Sequence, residues 1–509
     1  MVFAFGACLQ APFQFDDHGM LADPAVTSPE GWADVWRWQQ TRPLTYFTFW
    51  LNYALGGANP AGYHAMNLAL HCGAVVLVWL CLRRLIPVEA AVIATFVFAL
   101  HPVQSEAVNY IFARSTLLAA LLTLGAFLAW LHGRHWWSVA IFAVALLAKE
   151  EVAAFPVLLA FLHVTVSYNR AERKPIAVML ALAALFTARL AWVAAVAGSG
   201  AGAQSGVRPA DYFLTQGWVI LRYFQLLAVP IGFTADPDIE LATPWRGAVC
   251  WAAILFAIYV ASHSVTKLRA GFWFIGALIL MAPTSSLFPA QDLAADRRLY
   301  LPMLGFAAAA GQILRGTRFP VVLTAGAVVL AMLTHVRTNV WGSEVTLWED
   351  AMRRAPGKLR PRLQLARASE PGTGIRLLEE VKESQSNSPE LASELGRAYL
   401  NTGRLSDALS EFGRALALEP NDPMTLNNRG VTLAAMGLRD AALADFIAAA
   451  GRDPCLFDAR LNLKKLGAVV TLPGHCRYSA RQRMLWEELV LHGPSLPATM
   501  RNDGSQGNR

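Results

Sequence analysis

Twelve apolar stretches, near residues 1–14, 64–82, 87–102, 115–131, 136–148, 152–167, 176–197, 211–232, 248–264, 271–289, 299–314 and 319–336, alternate with short polar loops. From Arg337 onward charged residues interleave with Leu and Ala at helical spacing. A helix needs about 20 apolar residues to cross a hydrocarbon core of roughly 30 Å. The pattern therefore predicts an all-α chain: a polytopic membrane bundle over 1–336, a connecting segment over 337–354 and a water-soluble helical tail. The first stretch is too short to span, and Met1 begins it without a charged flank, so a truncated or misassigned start is expected ahead of a signal peptide.

Lys and Arg collect in short cytoplasmic loops, and five loops stand out: Arg83 with Arg84, Arg134, the run 169–174, Lys267 with Arg269, and Arg315 with Arg318. Placing all five inside leaves 15–63, 103–114, 149–151, 198–210, 231–247, 290–298 and the tail outside. Segment 211–232 then has outside loops at both ends. With Arg222 and Gln225 in its middle, it is expected to lie in the interface or re-enter, leaving about eleven spans.

In the tail, Gly396, Ala408, Phe412, Ala415 and Pro420 recur 34 positions later as Gly430, Ala442, Phe446, Ala449 and Pro454. Thirty-four residues is the tetratricopeptide (TPR) period. Small residues let paired helices approach, and the proline ends each second helix. Clear repeats fall at 389–422 and 423–456 inside a TPR α-solenoid spanning 355–468. Residues 469–509 form a C-terminal tail whose last residues, from Arg501, are expected to be disordered.

The chain is 55% hydrophobic and only 16% charged, with a mean hydropathy of +0.38, against about 25% charge in soluble domains. Its net charge of +7 is scattered among loops and forms no basic stripe, which argues against nucleic acid. The six cysteines have no metal-type spacing; only Cys455 and Cys476 could pair in the tail, and a disulfide there would need an oxidising compartment.

Candidate chemistry gathers on the outer side. Asp16 and Asp17 adjoin in the first loop, where paired carboxylates suit proton transfer or cation binding. Arg42 precedes an aromatic run, while His64, Asn67 and His71 share one face of a span. His101, Glu106 and Arg114 border the next outer loop; Lys149 with Glu150 and Glu151, and Asp296 with Arg297 and Arg298, mark two more. A solvated loop or an interhelical hydrogen-bond network would account for each cluster singly. Together they suit a reaction at one membrane face, with arginine holding a phosphate and a carboxylate handling a proton.

The stretches FDDH (15–18), RPLTYFTFWLNYALGG (42–57), GYHAMNLALH (62–71), FALHPVQSEAVNYIFARSTLLA (98–119), LLAKE (146–150), DRRLYLP (296–302) and VWGSEVTLWEDAM (340–352) resemble, in order, the transmembrane-and-TPR-containing O-mannosyltransferases and their bacterial relatives among the GT-C glycosyltransferases. The first span and the TPR array are shorter than in the animal members. The resemblance implies a polyprenyl-phosphate sugar donor, transfer of mannose or another hexose to an acceptor hydroxyl, and a catalytic base among Asp16 and Asp17. It makes Arg42, His64, His71, His101, Glu106, Arg114, Lys149 and Arg297 candidates for the donor phosphate and cavity. A polyprenyl phosphate is already a good leaving group, so no metal is assigned. Implied partners are membrane lipids, the lipid-linked sugar and an acceptor protein or peptide engaged by the TPR groove. The expected location is a bacterial inner membrane with a periplasmic tail, or an ER membrane with a luminal one. A membrane-anchored TPR scaffold for envelope assembly is the non-enzymatic alternative, and a transporter ranks last because the charges avoid the midplane.

Overall fold

The computed structural model describes residues 1–167, 169–197, 206–285, 288–290, 292–316 and 319–492. Residues 198–205 of the expected outer loop 198–210, Arg318 of the fifth basic loop and the expected disordered end therefore lie outside the described residues. Those residues are helical with no β-strand among them. They divide into two compact units, one of Met1–Leu21 with Pro29–Gly357 and one of Ala22–Ser28 with Lys358–Arg509.

In the first unit five helices are long and apolar enough to cross a membrane: Pro60–Leu85, Ile111–Leu131, Arg170–Val196, Pro244–Ser262 and Leu323–Val340. A sixth arises if the bent pair Val88–Leu100 and Pro102–Asn109 counts as one span. The expected eleven is not confirmed by helix length and composition among the described residues, and the reason is local. Apolar stretches counted whole in the sequence form short helices such as His135–Leu146, Ala270–Met281 and Met303–Leu314. Twelve residues rise roughly 18 Å, well short of the core thickness. The 211–232 segment forms the helix Pro209–Ala228, which is not among the helices apolar enough to span among the described residues. Its Arg222 is tied to Asp296 at 2.8 Å.

Burial separates a central helix from peripheral ones. The apolar stretch of Ile111–Leu131 is 72% buried within the protein, whereas those of Pro244–Ser262 and Leu323–Val340 are 17% buried and turn their side chains outward. The core around the central helix is built from Ala, Leu and Phe, including Leu117, Ala120, Leu124, Phe127, Phe142 and Phe155. Helix Phe319–Val340 runs to Val340, and a second helix, Glu344–Arg354, follows under a Ser343 capping box. Residues 337–354 thus belong to the first unit.

The second unit stacks helix pairs. Pro389–Asn401 with Leu405–Leu418 and Pro423–Ala435 with Arg439–Arg452 realise the two repeats. A Cβ placed on Gly396 would lie 2.7 Å from the Phe412 ring, and one on Gly430 2.7 Å from the Phe446 ring. Gly396→Val should therefore destabilise the tail by about 1–3 kcal/mol through overpacking. Gly413→Ala, whose Cβ meets nothing within 4 Å, should be neutral or better. Thermal unfolding of the two variants measures the difference. Cys455 and Cys476 form a disulfide with Cα atoms 5.3 Å apart, and helix Ala480–His492 follows within the C-terminal tail.

Candidate active site

Phe15 adopts φ 48°, a left-handed conformation rarely taken by a bulky residue. That turn starts helix Asp16–Ala22 and sets both carboxylates in its first turn. Their environments differ. Asp17 is fully buried; its Oδ2 accepts the Gln14 N–H at 2.9 Å and its Oδ1 the Phe112 N–H at 2.8 Å. Burial, only partly offset by these bonds, pushes its carboxyl up to about 7. Asp16 is half-buried. Its Oδ2 accepts the Tyr110 hydroxyl at 2.7 Å, while its backbone N–H donates to the same oxygen of Tyr110 at 3.2 Å. Burial, with Asp16 and Asp17 nearby, holds Tyr110 well above the ordinary phenol range.

The raised Asp17 carboxyl has a directional consequence. A group more basic in the folded state stabilises the fold when protonated, and that stabilisation fades as pH rises from about 4 towards 7. Relative to an Asp17→Asn variant, wild type should lose thermal stability between pH 4.5 and 7.5. Melting curves at the two pH values check it.

The aspartate turn is braced from behind by residues 341–348. The Gln14 amide donates to the Trp341 carbonyl at 2.5 Å, Phe15 meets Trp348 edge-on at 5.5 Å, and His18 pairs with Glu344 at 2.7 Å. Tyr110 stacks on Trp341 at 5.8 Å. Tyr110, Trp341, Trp348 and Glu344 lie in the motif stretches 98–119 and 340–352 but have no evident role in the sequence; the aromatic residues flanking the charged motif positions are the available signal.

Two arginines connect to the Asp16 carboxylate indirectly, Arg297 through Tyr110 and Arg42 through Arg297. Arg297 pairs with Glu106, whose Oε2 also accepts the Arg297 backbone N–H at 2.9 Å. It approaches Asp292 at 3.5 Å as well. Arg297 lies within electrostatic reach of Tyr110, and Arg42 within reach of Arg297. Arg42 grips Glu150 through two bonds, of 2.6 and 3.1 Å, and this guanidinium, opposing burial, draws the Glu150 carboxyl down to about 2. The side chains of Arg42 and Arg297 remain 28% and 27% exposed. Each keeps part of its surface open while paired with a carboxylate.

The other candidates are enclosed. Arg114 is fully buried; it donates to Asn67 Oδ1 at 2.9 Å, the Tyr63 carbonyl at 3.0 Å and the Thr48 carbonyl at 3.2 Å, and lies 4.6 Å over the Phe49 ring. Lys149 bonds Thr116 at 2.7 Å and Glu151 at 2.8 Å. His71 bridges Tyr300 at 2.7 Å and the Ala99 carbonyl at 3.2 Å, and His101 joins the Val103 N–H to the Leu227 carbonyl. Neither ring nitrogen of His64 has a well-formed partner, the backbone at Ala11 and Pro12 being nearest. These side chains lock helices and loops together. Glu106 is buried but holds Arg297 in place. A half-exposed carboxylate can take a proton from a hydroxyl, and partly exposed guanidiniums can hold an anionic leaving group.

Residues 389–422 match the tetratricopeptide repeat family. The chain is 35% identical over 172 residues to Protein O-mannosyl-transferase Tmtc1 of Drosophila melanogaster, covering 30% of this chain and 20% of that protein. It is 23% identical over 390 residues to Protein O-mannosyl-transferase F38B6.6 of Caenorhabditis elegans, covering 69% and 56%. The chain thus spans about a fifth and about half of these relatives' lengths. The crystal structure of ArnT from Cupriavidus metallidurans bound to undecaprenyl phosphate aligns over 88% of this chain and 78% of its own, at 14% identity and a TM-score of 0.40.

Proposed function

For a chain related in sequence to the TPR-containing protein O-mannosyltransferases, we propose a membrane glycosyltransferase that moves mannose or another hexose from a polyprenyl-phosphate donor to an acceptor hydroxyl, of protein Ser or Thr, at the extracytoplasmic face. The observation that carries this reading is Asp16, half-exposed and held by Tyr110, with Arg297 in electrostatic reach of that tyrosine and Arg42 in reach of Arg297. The acceptor oxygen attacks the sugar C1 as the C1–O bond to phosphate breaks. The bond pair leaves with the polyprenyl phosphate, and the hydroxyl proton passes to Asp16. Asp16 is favoured over Asp17 because both Asp17 oxygens are occupied by backbone N–H groups. Arg42 and Arg297 receive the departing phosphate, where preorganised guanidinium charge counts most.

The disulfide Cys455–Cys476 supports a tail in an oxidising compartment, the side on which the basic-loop pattern also puts the aspartate loop. The TPR groove is the natural place for the acceptor polypeptide. Arg42→Gln should raise the KM for the lipid donor about tenfold, the equivalent of one charge-assisted bond of roughly 1.4 kcal/mol, with a smaller change in kcat. Steady-state transfer with varied donor tests it. An unchanged KM would remove Arg42 from the phosphate site.

A further inference from the structure

Helix Arg170–Ala197 carries a guanidinium that the site above leaves unused. Arg189 lies fifteen residues beyond Lys174, roughly 22 Å along the helix axis, and so towards the membrane edge opposite the basic run at 170–174. Among the described residues no carboxylate pairs with it. Its Nη2 donates to two backbone carbonyls of the first loop, Trp38 at 2.6 Å and Gln40 at 2.7 Å. The guanidinium lies 4.9 Å from the Trp38 ring centroid, and Trp38 meets Trp192 edge-on at 6.4 Å. The remaining terminal nitrogen, Nη1, is buried and has no hydrogen-bond partner among the described residues.

Each feature narrows the ligand. Carbonyls orient a cation without neutralising it, so the full charge is left for something outside the protein. An unpaired arginine on a lipid-facing helix is costly unless an anion at the interface compensates it. Trp38 and Trp192, 58% and 51% exposed, are the amphipathic rings that settle at headgroup depth. Planar N–H groups suit phosphate oxygens.

We propose that Arg189, under Trp38, binds the phosphate of a membrane lipid in the leaflet on the side of the first loop. The bound phosphate neutralises the guanidinium and fixes the 38–42 strap that leads directly into Arg42. The phosphate comes either from an anionic phospholipid headgroup or from a polyprenyl phosphate. The site stands on the membrane placement of the helix alone and does not depend on the transferase reading.

The test is lipid retention by the full chain, measured by native mass spectrometry from micelles doped with phosphatidylglycerol, polyprenyl phosphate or a neutral glycolipid. Arg189→Gln should weaken phosphate-lipid retention about fivefold, the effect of one basic side chain at an interface, and leave the glycolipid unchanged. Arg189→Lys, which keeps the charge but not the planar donors, should fall between. Loss confined to phosphatidylglycerol identifies a bulk-lipid site, loss confined to polyprenyl phosphate a donor site, and loss of both a site reading phosphate alone. Equal retention of every lipid by wild type and Arg189→Gln, or equal loss of the glycolipid, overturns the proposal. Wild type alone supplies a second readout that needs no variant: raising ionic strength should release the phosphate lipids and spare the glycolipid, and salt-insensitive retention contradicts a charge-based site.

Discussion

Asp16→Asn is expected to cut sugar transfer by about 10²–10⁴-fold, the usual contribution of a positioned general base, while folded yield and melting temperature stay near wild type. The substitution preserves volume, and the Asn side-chain oxygen can still accept the Tyr110 hydroxyl that now reaches Asp16 at 2.7 Å. What it removes is the ability to take a proton. Asp16 is half-buried with one oxygen engaged by a side chain, so the fold leans on it less than on Asp17, whose two oxygens close the turns at Gln14 and Phe112. Parallel assays of transfer and thermal unfolding separate the two roles. A variant that loses yield and melting temperature together would make Asp16 a structural residue.

Arg114→Ala is expected to produce the largest loss of stability, about 3–5 kcal/mol, because it orphans several buried acceptors at once. Arg114 is the hub that joins Asn67, Tyr63 and Thr48. Through Asn67, whose amide donates to the Tyr110 carbonyl at 3.2 Å, it also fixes the chain that carries Tyr110. The loss should appear as a lowered unfolding midpoint and poor recovery from the membrane. Normal stability with a raised donor KM would instead return Arg114 to the phosphate site that the motif resemblance implies.

That contrast marks what the sequence could convey. The TPR array was legible because its 34-residue period records a steric rule, glycine against an aromatic ring, that the structure repeats at Gly396 with Phe412 and Gly430 with Phe446. The charged motif positions stood out in the sequence because ionised side chains beside a membrane are costly. Their division of labour did not. Arg42 and Arg114 are both arginines in aromatic surroundings, and only the fold reveals that one keeps an accessible guanidinium while the other is enclosed on all sides. Asp16 and Asp17 are neighbours whose difference comes from the Phe15 turn, a backbone feature with no sequence signature in a non-glycine residue. The span count is unconfirmed for a related reason: hydropathy registers total apolar length and not the breaks that leave His135–Leu146 and Met303–Leu314 short. Arg189 escaped notice because its meaning lies in partners that carry no charge, the carbonyls of Trp38 and Gln40.

The central claim is most directly tested by supplying purified wild-type protein in nanodiscs with labelled polyprenyl-phosphate-mannose and its glucose counterpart, together with host membrane extract. Transfer of label to a protein acceptor, lost in the Asp16→Asn variant, is the predicted result. No transfer from either donor by demonstrably folded protein would contradict the account and favour a membrane-anchored TPR scaffold in which the outer charges only hold helices together.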